Sequence, residues 1–172
     1  MTKVLARAVE ENDLVLLSGG SSVGTRDMTA AVLAASTPGI IFHGLAIKPG
    51  KPTIGAFVGT TPVFGLPGHP ASALVVFRAL VTPLLEWGSY RWAAENADFP
   101  VKAELSQSLA SGPGREDYLR VKLTGKGERL IAVPVLGKSG LISTLTEADG
   151  LVRIPLAKEG LNGGSPVMVA KL

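Results

Sequence analysis

The segment DLVLLSGGSSVGTRDMTAAVLAA, residues 13–35, constrains this chain more than any other. A short, nearly all-apolar run passes directly into a loop holding Gly19, Gly20 and Gly24, and a helical pattern follows at once. A strand of that composition is the kind buried on both faces, which places it in an α/β sheet. In the helical part, Met28, Val32 and Ala35 fall on one face. Short apolar strands and glycine turns continue to about Leu85 as GIIF, LAIK, TIGAFVG and PVFGL, the alternation of a βα architecture. A second helix follows His69: Leu74, Phe77, Val81, Leu84 and Leu85 recur at helical spacing, with Phe57, Phe64 and Phe77 expected in the core. Pro70 suits the first helical position and Gly88 the exit, while Pro83 weakens or kinks the last turn because it cannot donate backward.

Beyond Trp87 the texture changes. In VKAELSQSL, Val101, Ala103 and Leu105 alternate with polar residues, and YLRVKL, LIAVPV, GLVRIP and SPVMVA read as further strands between turns such as TGKGE and LNGG. SGLISTLTEADG has room for one short helical turn. The expected fold is a partial three-layer α/β sheet over residues 1–90, then a small all-β, barrel-like domain over 91–172, with the boundary in EWGSYRWAAENADFP. The first part supplies fewer βα units than three-layer sheets usually carry, so a fragment, or reliance on another chain, is expected.

Composition removes several chemistries. The 172 residues contain no cysteine and two histidines, His43 and His69, which rules out disulfides, a thiolate nucleophile and Cys- or His-rich metal centres. The net charge of +3 is scattered and aromatics make up 5%, unlike the basic stripe that nucleic acid requires. No apolar stretch has membrane length and no signal core opens the chain, so the cytoplasm is the expected location. His43, Trp87, Tyr90 and Trp92 read as packing or orienting residues.

Three rigid loops carry the chemistry. In SGGSSVGTRD, backbone N–H groups and the hydroxyls of Ser18, Ser21 and Ser22 suit phosphate or another oxyanion, and Asp27 suits a divalent cation or a helix cap. A plain tight turn satisfies the same pattern, and the glycines match neither the dinucleotide nor the Walker fingerprint. In AIKPGKP, Lys48 and Lys51 flank Pro49 and Gly50, two compact cations on one stiff turn. In GLPGHP, Pro67, Gly68, His69 and Pro70 lead a strand into a helix. All three would line one rim of the sheet if the strands run parallel.

In that order, SGGSSVGTRD, AIKPGKP and FGLPGHPASA resemble the molybdopterin molybdenumtransferase family, to which the C-terminal half of gephyrin also belongs. GREDYLRVKL, SGLISTLTEADGLVRIP and GGSPVMV resemble that family's C-terminal β-domain, so the resemblance covers nearly the whole chain. It implies a molybdopterin-binding-like α/β domain that takes adenylylated molybdopterin and molybdate as substrates, uses magnesium, and releases AMP. It implies roles for Asp27 in metal or substrate positioning and for Lys48 and Lys51 on phosphate or molybdate oxygens, the three catalytic candidates. Ser18, Gly19, Gly20, Ser21, Ser22 and Gly24 would face the pterin or its phosphates, with Pro49 and Gly50, and with Pro67, Gly68, His69 and Pro70 as a third wall. Arg115, Lys138 and Ser139 would close over the pocket from a partner subunit, in a homodimer or in a complex with a chain supplying N-terminal domains.

One local departure is His69, where the family usually has asparagine; only histidine among the two titrates near neutrality. It is expected to enter the helix as a cap, with its ring donating to the loop or the ligand. Two other functions compete: a non-catalytic scaffold or binding module, including an inactive fragment, and adenylyl transfer to unadenylylated molybdopterin. The KPGKP turn and the β-domain argue against the latter.

Overall fold

The computed structural model describes residues 2–18, 28–86, 99–126, 129–137 and 142–172. The first half is a four-stranded sheet covered on both faces. Helix α1 (Thr2–Glu11) leads into β1 (Val15–Ser18), and α2 (Met28–Ala34) is followed by β2 (Pro38–His43), β3 (Ile47–Lys48), β4 (Ile54–Val58) and β5 (Thr61–Leu66). The sheet order is β1-β5-β4-β2. Strand β1 pairs parallel to β5, whereas β4 runs antiparallel to both β5 and β2. The sheet is therefore mixed rather than all parallel, because β4 and β5 form a hairpin turned by Gly59 and Thr60, with no crossover between them. Since β4 alone is reversed, β1, β2 and β5 still end on the same rim.

Alternate residues of the strands enter opposite layers, as the pleat requires. Val15, Ile54, Ala56 and Val63 pack with Leu5 of α1 and Leu33 of α2, while Phe64 and Leu66 pack with Val76 and Val81 on the other side. In α2 the buried face is Thr29 and Leu33; Met28 and Ala35, expected on the inner face, are exposed. The helix α3 (Pro70–Val76) continues through a wide π turn, Phe77–Val81, into α4 (Thr82–Leu85). The Thr82 N–H bonds to the Phe77 carbonyl, so the widened turn sits just ahead of Pro83, which lacks a donor. Leu84 and Leu85 are exposed, and so is much of Phe57, because the elements that reach them leave these faces uncovered. Gly88, Trp87, Tyr90 and Trp92 lie outside the described residues.

The second half is a closed barrel built from β6 (Val101–Leu105), β8 (Glu116–Lys126), β9 (Arg129–Pro134), β10 (Gly150–Ile154) and β12 (Pro166–Lys171). The order β10-β12-β6-β9-β8 closes on itself through β8–β10. Ala103, Leu105, Val121, Ala132, Val152, Val167 and Val169 fill the interior, which is the alternation of VKAEL carried around the barrel. A short ladder joins β7 (Leu109–Ala110) to β11 (Gly160–Leu161), and α5 (Ser143–Thr146) is the single helical turn expected there.

Two contacts fix the barrel against the sheet. Val75 of α3 packs with Leu151 and Ala170 on the barrel's outer face, with Phe99 and Tyr118 beside them. Strand β3 leaves the rim of the first sheet and pairs parallel with β8, matching Ile47 to Glu116 and Lys48 to Asp117. No described helix is long and apolar enough to cross a membrane.

Candidate functional site

The KPGKP turn is closed by its own backbone. The Leu45 N–H bonds to the Lys51 carbonyl at 2.9 Å, the Gly44 N–H to the Thr53 carbonyl at 2.8 Å, and the buried Thr53 hydroxyl donates to the Gly50 carbonyl at 2.6 Å. Gly50 has φ +124°, and a Cβ built there would lie 2.6 Å from Val76 Cγ2 and 2.8 Å from Ile47 Cδ1. Only glycine satisfies both the positive φ and the approach to α3. The turn is thus pressed on the helix that the GLPGHP loop begins. Lys48 and Lys51 remain exposed, and neither is paired with a carboxylate among the described residues.

The GLPGHP loop leaves β5 with Pro67 buried and Gly68 and His69 exposed. His69 occupies the cap position of α3 with φ −80° and ψ 125°, and Pro70 starts the helix. Its carbonyl accepts the Ala73 N–H at 3.0 Å, but its ring makes no capping hydrogen bond. The expected side-chain cap is therefore absent, and the ring faces open space instead.

That space is a cavity of about 530 Å³ between the rim and the barrel. Lys48 through Pro52 form one wall, Pro67, His69 and Ser72 a second, and Arg115, Asp117, Tyr118, Leu119 and Arg120 of the barrel a third. Val135, Leu136 and Gly137 lie at its edge. Arg115 lines this cavity from its own chain. Gly68 and Pro70 shape their loop without lining the cavity. Ser18 ends β1 in register with Leu66, at the start of GLPGHP. Gly19, Gly20, Ser21, Ser22, Gly24, Asp27, Lys138 and Ser139 lie outside the described residues.

Sequence reasoning passed over Asp117, Tyr118 and Arg120. The signal for Asp117 was present: in an extended GREDYLRV, Arg115, Asp117 and Leu119 share one face. Arg115 Nε donates to Asp117 Oδ1 at 2.8 Å, the carboxylate being 3% exposed and the guanidinium 38%. Tyr118 donates its hydroxyl to Glu116 Oε2 at 3.0 Å, and burial, then the Glu116 carboxylate, push its phenol up to about 12. Arg120 donates through Nη2 to the Gly137 carbonyl at 2.8 Å and through Nη1 to the Thr144 hydroxyl; burial lowers its pKa. Lys48, Lys51, Arg115 and Arg120 thus face Asp117 as the cavity's one carboxylate among the described lining residues. The charge of such a wall suits a multiply charged anion.

Among the described residues a divalent cation finds no set of ligands. No group of three or more His, Asp or Glu side chains able to hold a metal occurs among the described residues, and Asp117 is engaged by Arg115.

Residues 1–87 match the family model for a probable molybdopterin binding domain, and residues 102–172 that of the MoeA C-terminal region, domain IV. The chain belongs to the molybdopterin molybdenumtransferase family and matches its C-terminal part. Members of this family are enzymes of molybdenum cofactor biosynthesis. A putative molybdopterin biosynthesis protein of Methanocaldococcus jannaschii is 34% identical over 169 residues, which is 98% of this chain and 39% of that protein. A molybdopterin molybdenumtransferase of Staphylococcus aureus is 28% identical over 168 residues, 96% of this chain and 39% of that enzyme. The crystal structure of a molybdopterin biosynthesis MoeA protein from Pyrococcus horikoshii superposes with a TM-score of 0.76 at 36% identity, covering 99% of this chain and 40% of that one. The chain therefore spans about two fifths of the length of these molybdenumtransferase relatives.

Proposed function

We propose that this chain binds adenylylated molybdopterin in the cavity between the sheet rim and the barrel, and takes part in inserting molybdenum from molybdate with release of AMP. The observation that carries this reading is the cationic wall: Lys48 and Lys51 on a locked turn, facing Arg115 and Arg120 on the barrel. Cleaving a phosphoanhydride moves charge onto phosphate oxygens. Fixed cations and loop N–H groups stabilise that charge without a covalent nucleophile from the protein. The missing cysteine is therefore no obstacle. The described residues do not form a magnesium site. The same proposal divides the chain into a ligand-binding part over residues 1–90 and a closing part over 91–172, within a dimer or a complex with a chain supplying further domains.

The test is AMP release on mixing the chain with adenylylated pterin, molybdate and magnesium, alone and with an N-terminal segment of a family member. Release above the protein-free rate is expected in at least one mixture. Binding without release in every mixture would reduce the chain to a binding module, and no binding would end the pterin reading.

A further inference from the structure

Asp117 combines three features that no other described residue of the cavity wall shares. Its backbone is paired on both sides, with Lys48 of β3 and with Ile154 of β10. Its carboxylate is 3% exposed and forms an ion pair with one partner, Arg115. That partner follows SGPG, a turn in which Gly114 has φ +74°, and precedes β8 rather than lying in it. From these we infer that Asp117 is a positioning residue, which sets Arg115 as a fork for the oxyanion bound in the cavity.

The geometry supports this division of labour. Asp117 takes the Nε–H at 2.8 Å, and both terminal amino groups of Arg115 are without protein partners among the described residues. One face of the guanidinium lies on Gly112, where a built Cβ would come within 3.1 Å of Cζ and Nη2. A side chain at position 112 would displace the fork. Because residue 117 also stands in register with Lys48, one backbone position spaces the fork from the lysine turn. Two parallel N–H groups at a fixed angle match two oxygens of a phosphate.

The inference rests on the proposed anion reading, but charge and positioning predict opposite signs. Removing a carboxylate from a cationic wall should tighten an anionic ligand if charge alone matters. If Asp117 positions Arg115, the anion should loosen, because ordering the guanidinium then falls on the binding step. In calorimetric titrations of the full chain with adenylylated molybdopterin, Asp117→Ala should weaken binding roughly three- to tenfold. Asp117→Asn, which keeps an acceptor and the side-chain volume, should weaken it less. Arg115→Ala with Asp117→Ala should bind no more weakly than Arg115→Ala alone. Unchanged or tighter binding in both Asp117 variants, or additive losses in the double variant, would overturn the inference.

A second readout needs no pterin and guards against a variant that fails to fold. In the ligand-free parent, the Arg115 Nε–H should give a resolved NMR resonance protected from solvent exchange, shifted on adding inorganic pyrophosphate and unprotected in Asp117→Ala. Rapid exchange in the parent would overturn the fork. A parent that shows the protected signal yet does not bind the pterin would remove the pterin reading alone.

Discussion

Lys48 stands in register with Asp117 across a parallel ladder of two residue pairs, with the Glu116 N–H bonded to the Ala46 carbonyl at 2.8 Å beside it. This ladder is continuous with the barrel through β8 and covalently continuous with the lysine turn. The two walls of the cavity are therefore spaced by backbone hydrogen bonds as well as by side-chain packing. Fixed spacing is what recognition of an anion with several charged oxygens requires.

The lysine turn should act through charge and not through stability. Lys48→Ala and Lys51→Ala should each weaken adenylylated pterin binding several-fold, and together by at least about tenfold. Both side chains are exposed, so unfolding free energies should stay within about 0.5 kcal/mol of the parent. Titration at low and high salt checks the assignment: the double variant should lose much of the parent's salt dependence. Equal affinity in parent and double variant would remove the turn from the site.

Gly50→Ala should be costly for the opposite reason. It adds a methyl group 2.6 Å from Val76 Cγ2 at a φ of +124°. A loss of about 2 kcal/mol or more is expected, combining backbone strain with overpacking. Urea denaturation should show a lower midpoint at unchanged slope. A midpoint equal to the parent's would mean that the turn does not press on α3.

Arg115→Ala should destabilise the fold as well as weaken binding. It leaves the buried Asp117 carboxylate without its partner, a loss of about 1–3 kcal/mol after allowing for the partly exposed guanidinium. Denaturant melts in the absence of ligand isolate this term. No change in stability would show that Asp117 finds another partner.

Tyr118 predicts an alkaline limit. Its folded-state phenol is pushed up to about 12, by burial first and then by the Glu116 carboxylate, whereas an unfolded tyrosine ionises near about 10. Below about pH 10 both states keep the proton, and this group's contribution is fully present. Between about pH 10 and 12 the unfolded chain loses its proton first, so stability falls as pH rises. Tyr118→Phe should lack that part of the decline. Absorbance titration should show a tyrosine transition at about pH 12 in the parent that vanishes in the variant, and a parent lacking it would contradict the assignment.

The sequence by itself determined the elements and the order of the loops. An apolar strand entering glycines, two lysines around Pro-Gly, and Pro-Gly-His-Pro before a helix are local patterns, because a backbone of that composition has few alternatives. The alternation of Val101, Ala103 and Leu105 likewise specified an inward face before any partner was known. Tertiary structure decided which faces were covered. Met28, Phe57, Leu84 and Leu85 have the period of a core and stand exposed, since periodicity names a face and not the surface that meets it. Only the fold could reverse β4, bring Arg115 into the cavity from the same chain, and bury Asp117 opposite Lys48. Those relations join residues up to 69 positions apart in the chain (Lys48 to Asp117), and hydrogen bonds across such a distance leave no local trace.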